Sequence, residues 1–137
     1  MVVRTLSGRA PNITLPTGAV DTQMHMYLPG FPALPGGPDL PAGALPDAEQ
    51  YRSFMKWIGI DRVIITQGNA HQRDNGNLVA CLAEMGDVAR GVAVISADTA
   101  DRELDALADA GVVGARIMDL PGGAVGLDAL EDVDRRA

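Results

Sequence analysis

Arg62–Asn69 reads RVIITQGN. Val63, Ile64, Ile65 and Thr66 are all β-branched, and amides close the run at Gln67 and Asn69. A short, nearly continuous apolar run of this kind is a strand buried on both faces, the signature of a parallel sheet. The residues around it fit that reading. Upstream, Asp47 with Gln50 three places on forms a capping box. Tyr51, Phe54, Met55 and Ile58 then make one apolar helical stripe, and Gly59 supplies the stop. Downstream, Asp74 is expected to cap a helix striped by Leu78, Cys81, Leu82 and Met85 and closed by Gly86. GVAVIS, Gly91–Ser96, is a further buried strand. Asp98 or Thr99 is expected to cap a helix with Leu104, Leu107 and Ala108 inward, ending at Gly111. VVGARIM, Val112–Met118, is a strand, and a last helix begins near Leu127.

The first strand is Val20–His25. There Val20, Thr22 and Met24 alternate with Asp21, Gln23 and His25. The chain is thus strand–helix four times over, which means a parallel α/β sheet with right-handed crossovers. Two architectures fit: a small open α/β sheet, or the N-terminal half, four βα units, of a TIM-type (β/α)8 barrel of about 250 residues. The half-barrel is preferred. Polar side chains close all four strands (His25, Asn69, Ser96 and Arg116), and barrel sites are built at that end. No Gly-rich phosphate fingerprint follows the first strand. The last helix carries no stop before Ala137. Residues 1–18 are expected to be an N-terminal extension and 19–137 a half-barrel truncated at its C-terminus. Such a piece has open edges and is expected to self-associate and to be inactive alone.

Composition narrows the function. The 137 residues carry a formal charge of −7, so no basic surface awaits nucleic acid or anionic membrane. No window approaches the roughly 20 apolar residues that span a bilayer, and the start shows no secretory signal. The single cysteine, Cys81, excludes an internal disulfide framework and points to a reducing cytoplasm. Leu28–Pro46 is a long loop rich in Gly and Pro, and long loops inside compact domains are usually functional.

The candidate site follows from the strand ends. Asp21 reads as an inward structural group, and His25, beside the long loop, as functional. A metal at His25 is the disfavoured alternative, because a glutamine amide at 23 is a weak ligand beside imidazole or carboxylate. Gln23 suits a hydroxyl- or carboxylate-bearing ligand instead. Gln67 and Asn69 suit an oxygen-rich ligand, though Asn69 also fits an Asx turn. Arg116 interrupts an apolar strand and must be paired, by Asp21, by Asp119 or by a ligand carboxylate; its place near the strand end favours the ligand. Tyr27 can reach the site from the loop. Tyr51 reads as core and His71 as a solvated loop histidine. Ser96 has no paired base in view.

AVDTQMHMYLPGFPALPGGP (19–38), WIGIDRVIITQGNAHQRDN (57–75), ARGVAVIS (89–96) and GVVGARI (111–117) resemble the amidohydrolase superfamily, in its branch of galactarolactone isomerases and 2-pyrone-4,6-dicarboxylate lactonases. The resemblance implies a (β/α)8 barrel about twice this length that acts on a sugar-acid lactone without a required metal or other cofactor. It implies conversion of the 1,5-lactone of galactarate to the 1,4-lactone, with hydrolysis of a related lactone as the alternative. A non-catalytic domain that binds an acidic sugar is a third reading. By position, His25 matches the second first-strand histidine of the superfamily, and Gln23 stands where the first would be. Arg116 matches an arginine that holds a substrate carboxylate. Asn69 sits where the lactonases are polar. GALPD, 43–47, lacks the tyrosine of the lactonase turn and argues against dicarboxypyrone hydrolysis. The resemblance expects the general base, an aspartate, on the last barrel strand.

Overall fold

The computed structural model describes residues 8–45 and 47–137. Residues 1–7 of the expected extension, and Pro46 of the GALPD turn, lie outside the described residues. Four parallel strands, β1 (Val20–Met24), β2 (Arg62–Thr66), β3 (Ala89–Ala93) and β4 (Val112–Ala115), lie side by side in chain order. Helices α1 (Ala48–Ile58), α2 (Gly76–Met85) and α3 (Asp101–Asp109) connect them, and α4 (Leu130–Asp134) follows β4.

This order decides between the two architectures. A doubly wound sheet reverses its strand order at a switch point. Here the order never reverses, so right-handed crossovers place every connecting helix on one face, as in a barrel wall. Burial along β2 agrees. Val63 and Ile65 are sealed under the helices, while Ile64, on the other face, keeps some exposure. The core lies between sheet and helix layer, with Val63 and Ile65 meeting Met55, Leu78, Cys81, Leu82 and Met85. Gly91 is small because space is short: a Cβ there would lie 2.8 Å from Leu82 Cδ1 and 3.1 Å from Val112 Cγ2.

Helix α1 forms as its sequence dictates. The Gln50 amide donates to Asp47 Oδ1 at 2.8 Å, and the Asp47 amide donates to Gln50 Oε1 at 3.4 Å. Gly59 ends the helix at φ 86°. The other two expected caps are corrected. Asp74 stands one place too early, and its Oδ1 accepts from the Gly76 amide while Asn75 takes the cap position. Asp98 and Thr99 close a turn with Ser96, and α3 starts after Ala100.

Every strand is shorter than its apolar run. The polar strand-end residues therefore lie just past the ladder rather than on it. The strict alternation expected on β1 is also interrupted. Between Asp21 and Met24 the strand advances three residues while β2 advances two, Val63 to Ile65, which is a β-bulge. Gln23 is exposed there, and its own amide donates to Asp21 Oδ1 at 3.1 Å.

Two measurements check this packing. Asp47→Ala should cost about 1 kcal/mol, read as a lowered urea midpoint, because one side chain satisfies a helix-start amide and completes the reciprocal cap. Cys81 is fully buried, and burial, helped by the charge of Glu84, pushes its thiol up to about 12. It should ignore thiol reagents at pH 8 until the chain unfolds.

Candidate active site

Two successive carbonyls at the end of β2 organise the strand-end residues. The Thr66 carbonyl holds Nδ1 of His25 at 2.8 Å. A carbonyl only accepts, so Nδ1 carries a proton, and in the neutral ring Nε2 keeps the lone pair. The Gln67 carbonyl accepts from a guanidinium nitrogen of Arg116 at 2.5 Å. Arg116 itself stays tied to β3, its amide donating to the Ala93 carbonyl at 2.7 Å. It therefore reaches across one strand to the next.

The partner expected for Arg116 is not a structural carboxylate. Asp21 accepts from the Tyr51 hydroxyl at 2.5 Å, and Asp119 accepts from the Leu127 amide at 3.3 Å. Among the described residues Arg116 makes no ion pair. Partial burial depresses its pKa, an effect that nearby Tyr27 opposes. A half-buried guanidinium with one arm on a carbonyl and the rest unspent is suited to an anion.

Tyr27 stands beside it. Its ring centroid is 6.4 Å from that of His25 and 5.6 Å from that of His71. The hydroxyl end of the ring packs against the backbone of residue 68, where a Cβ would be 2.8 Å from both Cε1 and the hydroxyl. Only glycine fits at 68. Burial raises the phenol pKa, and the charge of Arg116 pulls against it. His25, Tyr27 and Arg116 thus converge on Thr66–Gly68.

Gln67 is corrected as a ligand group. It is 1% exposed, and its amide turns into its own loop, donating to the Asp74 carbonyl at 2.6 Å. Asn69 is spent in the same way. Its Nδ2 donates to the Gly122 carbonyl at 2.8 Å and its Oδ1 accepts from Gln72. That network closes the β2 and β4 loops on each other. His71 is corrected too: it is 2% exposed, with Nδ1 donating to the Pro32 carbonyl at 3.2 Å. Flanked by Tyr27 and Phe31, it pins the long loop to the strand ends. No apolar periodicity runs through a loop, so the sequence carries no sign of this. Ser96 sits in a turn, bonded to Asp98, Thr99 and Arg73. An open depression of about 550 Å³ lies beyond Tyr27, lined by Leu28, Phe31, Leu40 and Leu45 of the long loop.

The donors present do not fit a metal. His25 offers one nitrogen, Gln23 an amide in place of an imidazole, and His71 is buried in the loop. No cluster of three His, Cys, Asp or Glu occurs among the described residues.

Comparison with known proteins gives the family and the fold. The amidohydrolase family model matches residues 19–137. The chain belongs to the amidohydrolase family. Within that family it is 68% identical over 136 residues to the D-galactarolactone isomerase of Agrobacterium fabrum, covering 99% of this chain and 47% of that protein. It is 36% identical over 108 residues to the 2-pyrone-4,6-dicarboxylate hydrolase of Comamonas testosteroni, covering 77% of this chain and 35% of that protein. A crystal structure of the apo protein from Agrobacterium tumefaciens superposes with a TM-score of 0.92 at 68% identity, over 98% of this chain and 47% of that one. The chain spans about half the length of the isomerase relative it matches. Its four βα units have the fold of this barrel family. No described helix is long and apolar enough to cross a membrane.

Two tests address the site. Gly68→Ala should destabilise by about 1–3 kcal/mol through overpacking, and Tyr27→Leu should relieve most of that cost in a double-mutant cycle by urea unfolding. Both tyrosines hold their protons more tightly folded than at the ordinary phenol value of 10.0, Tyr51 because of burial and the Asp21 bond. A raised folded pKa contributes stability below the unfolded value. Stability should therefore hold up to about pH 10 and fall as pH rises beyond it.

Proposed function

We propose that these strands form the substrate-holding wall of an enzyme that converts D-galactaro-1,5-lactone to the 1,4-lactone. The observation that carries the reading is Arg116: a half-buried guanidinium with no carboxylate partner among the described residues, bonded to the carbonyl next to the one that holds the His25 ring. The 68% identity to a D-galactarolactone isomerase supports the substrate class.

The reaction is intramolecular acyl transfer. The 4-hydroxyl gives its proton to the general base as its oxygen bonds to the lactone carbonyl carbon, the bond from that carbon to the 5-oxygen breaks, and the 5-oxygen takes up a proton, so that no proton is gained or lost overall. No water is consumed, so no activated hydroxide is required and no metal or other cofactor is proposed. The reaction needs a grip on the free carboxylate, a hydrogen bond to the attacking hydroxyl and polarisation of the carbonyl. Arg116 supplies the first. Nε2 of His25, fixed by the Thr66 carbonyl, supplies the second as an acceptor. Tyr27 and the exposed amide of Gln23 are the donors for the carbonyl and the ring hydroxyls. Asn69 and the Gln67 main chain shape the floor rather than touch the sugar. The general base is proposed to be the aspartate expected on the last barrel strand, which these four strands do not include. Cys81, kept as a buried free thiol, fits a reducing cytoplasm as the compartment.

The edges of this wall bear on the isolated chain. β1 and β4 each have a free edge in the described sheet, and Val113 is 64% and Leu127 56% exposed. We propose that the chain alone buries these by self-association and does not turn over lactone.

The intact barrel can be made by joining residues 1–137 to the remaining portion of the Agrobacterium fabrum isomerase. In that enzyme Arg116→Ala should raise the KM for the lactone about tenfold or more, since a charge-assisted contact is lost. An unchanged KM removes the clamp. Product order by NMR separates isomerisation, which gives a second lactone before any free acid, from hydrolysis. For the 14.3 kDa chain by itself, sedimentation should show species heavier than a monomer; a single monomer that melts cooperatively overturns the self-association.

A further inference from the structure

The main chain on both sides of Tyr27 is held by one side chain that belongs to neither the strand nor the loop. The Leu28 amide donates to Asn77 Oδ1 at 2.9 Å, and Asn77 Nδ2 donates to the Met26 carbonyl at 2.7 Å. Asn77 lies in the first turn of α2 and is 2% exposed. β1 has already left the ladder at Met24, so no strand hydrogen bonds fix residues 26–28. The Asn77 amide takes the place of a neighbouring strand there, offering one donor and one acceptor to two peptide groups. Met26 and Leu28 are both buried, and the half-buried Tyr27 projects between them toward residue 68.

We propose that Asn77 is a positioning residue for the lactone reaction, acting by setting the Tyr27 ring against Gly68 beside Arg116. This rests on the reading of Tyr27 as part of the site. Asn75 makes a matched control. It holds Val94 in the same bidentate way, at 3.0 Å and 2.9 Å, past the end of β3 rather than β1. A merely structural asparagine at 77 would behave like the one at 75.

The test is a double-mutant cycle in the intact barrel described above, with the urea midpoint recorded for every variant. Asn77→Ala should lower kcat about tenfold or more with a smaller change in KM, the scale expected for misplacing a reacting group. In a Tyr27→Phe background the same substitution should cost less than about twofold, because the hydroxyl it positions is gone. Asn75→Ala, at a similar loss of midpoint, should lower activity equally in both backgrounds. Equal, additive losses from Asn77→Ala in both backgrounds overturn the proposal while leaving Tyr27 in the site. A Tyr27→Phe enzyme with unchanged kinetics rejects the role of Tyr27 itself, and the proposal with it. If Asn77→Ala does not fold, Asn77→Ser serves, since it stays polar and uncharged but is too short to bridge Met26 and Leu28. Slow amide exchange at Leu28 should also be seen in the unaltered protein, and exchange at the rate of an unprotected amide overturns the clamp.

Discussion

The carbonyl groups of Thr66 and Gln67 are the constraint on which the site depends. In a parallel ladder the last carbonyls of a strand have no partner once the neighbours diverge. Here they are satisfied by side chains, the His25 imidazole on one and the Arg116 guanidinium on the other. One unsatisfied strand end thereby fixes a titratable ring from β1 and a cation from β4. It also fixes the chemistry of the ring, because an acceptor at Nδ1 leaves Nε2 as the free lone pair. The backbone of β2 thus does the positioning, and Arg116 can be spared from a structural ion pair.

Loop chemistry completes the arrangement. Gly68 leaves room for the hydroxyl end of Tyr27, Asn69 ties the β2 loop to the β4 loop, and His71 ties the long loop to the end of β2. Each of these is a side chain bonded to a distant main-chain group. Such bonds pin irregular segments without regular secondary structure, and they explain how a Gly- and Pro-rich loop can border an ordered site.

The fold was legible in the sequence where a local rule governs it. The buried run at Val63–Thr66, the capping box at Asp47 and Gln50, and the stop at Gly59 depend on neighbours within one or two turns, and all three stand in the structure. The caps at Asp74 and Thr99 were misplaced because the same side-chain oxygens satisfy tight turns equally well. The site was legible only as positions. The strand-end rule brought His25 and Arg116 into view, and the structure does bring them to one strand end. It gives no means of knowing that the Gln67 amide turns inward or that His71 is buried, because those outcomes depend on contacts between segments distant in sequence. The bulge on β1 was likewise invisible: one additional residue in the register leaves no mark on composition or period.

Gln23 is the residue through which these levels meet. Gln23 is exposed at the bulge, and an amide two residues before an imidazole with one nitrogen already committed makes a poor cage for an ion. On the proposed reading the same pair suits a ring bearing hydroxyls, the Gln23 amide offering a donor and an acceptor and the His25 ring its Nε2. Among the described side chains gathered on Thr66–Gly68, Arg116 brings the full positive charge. In the proposed reaction an anionic lactone has Arg116 for its carboxylate and the hydrogen-bonding groups of Gln23, His25 and Tyr27 for its ring. On that reading the charge holds one end of the substrate, and what remains for the wall is to select the ring conformation in which the 4-hydroxyl faces the carbonyl.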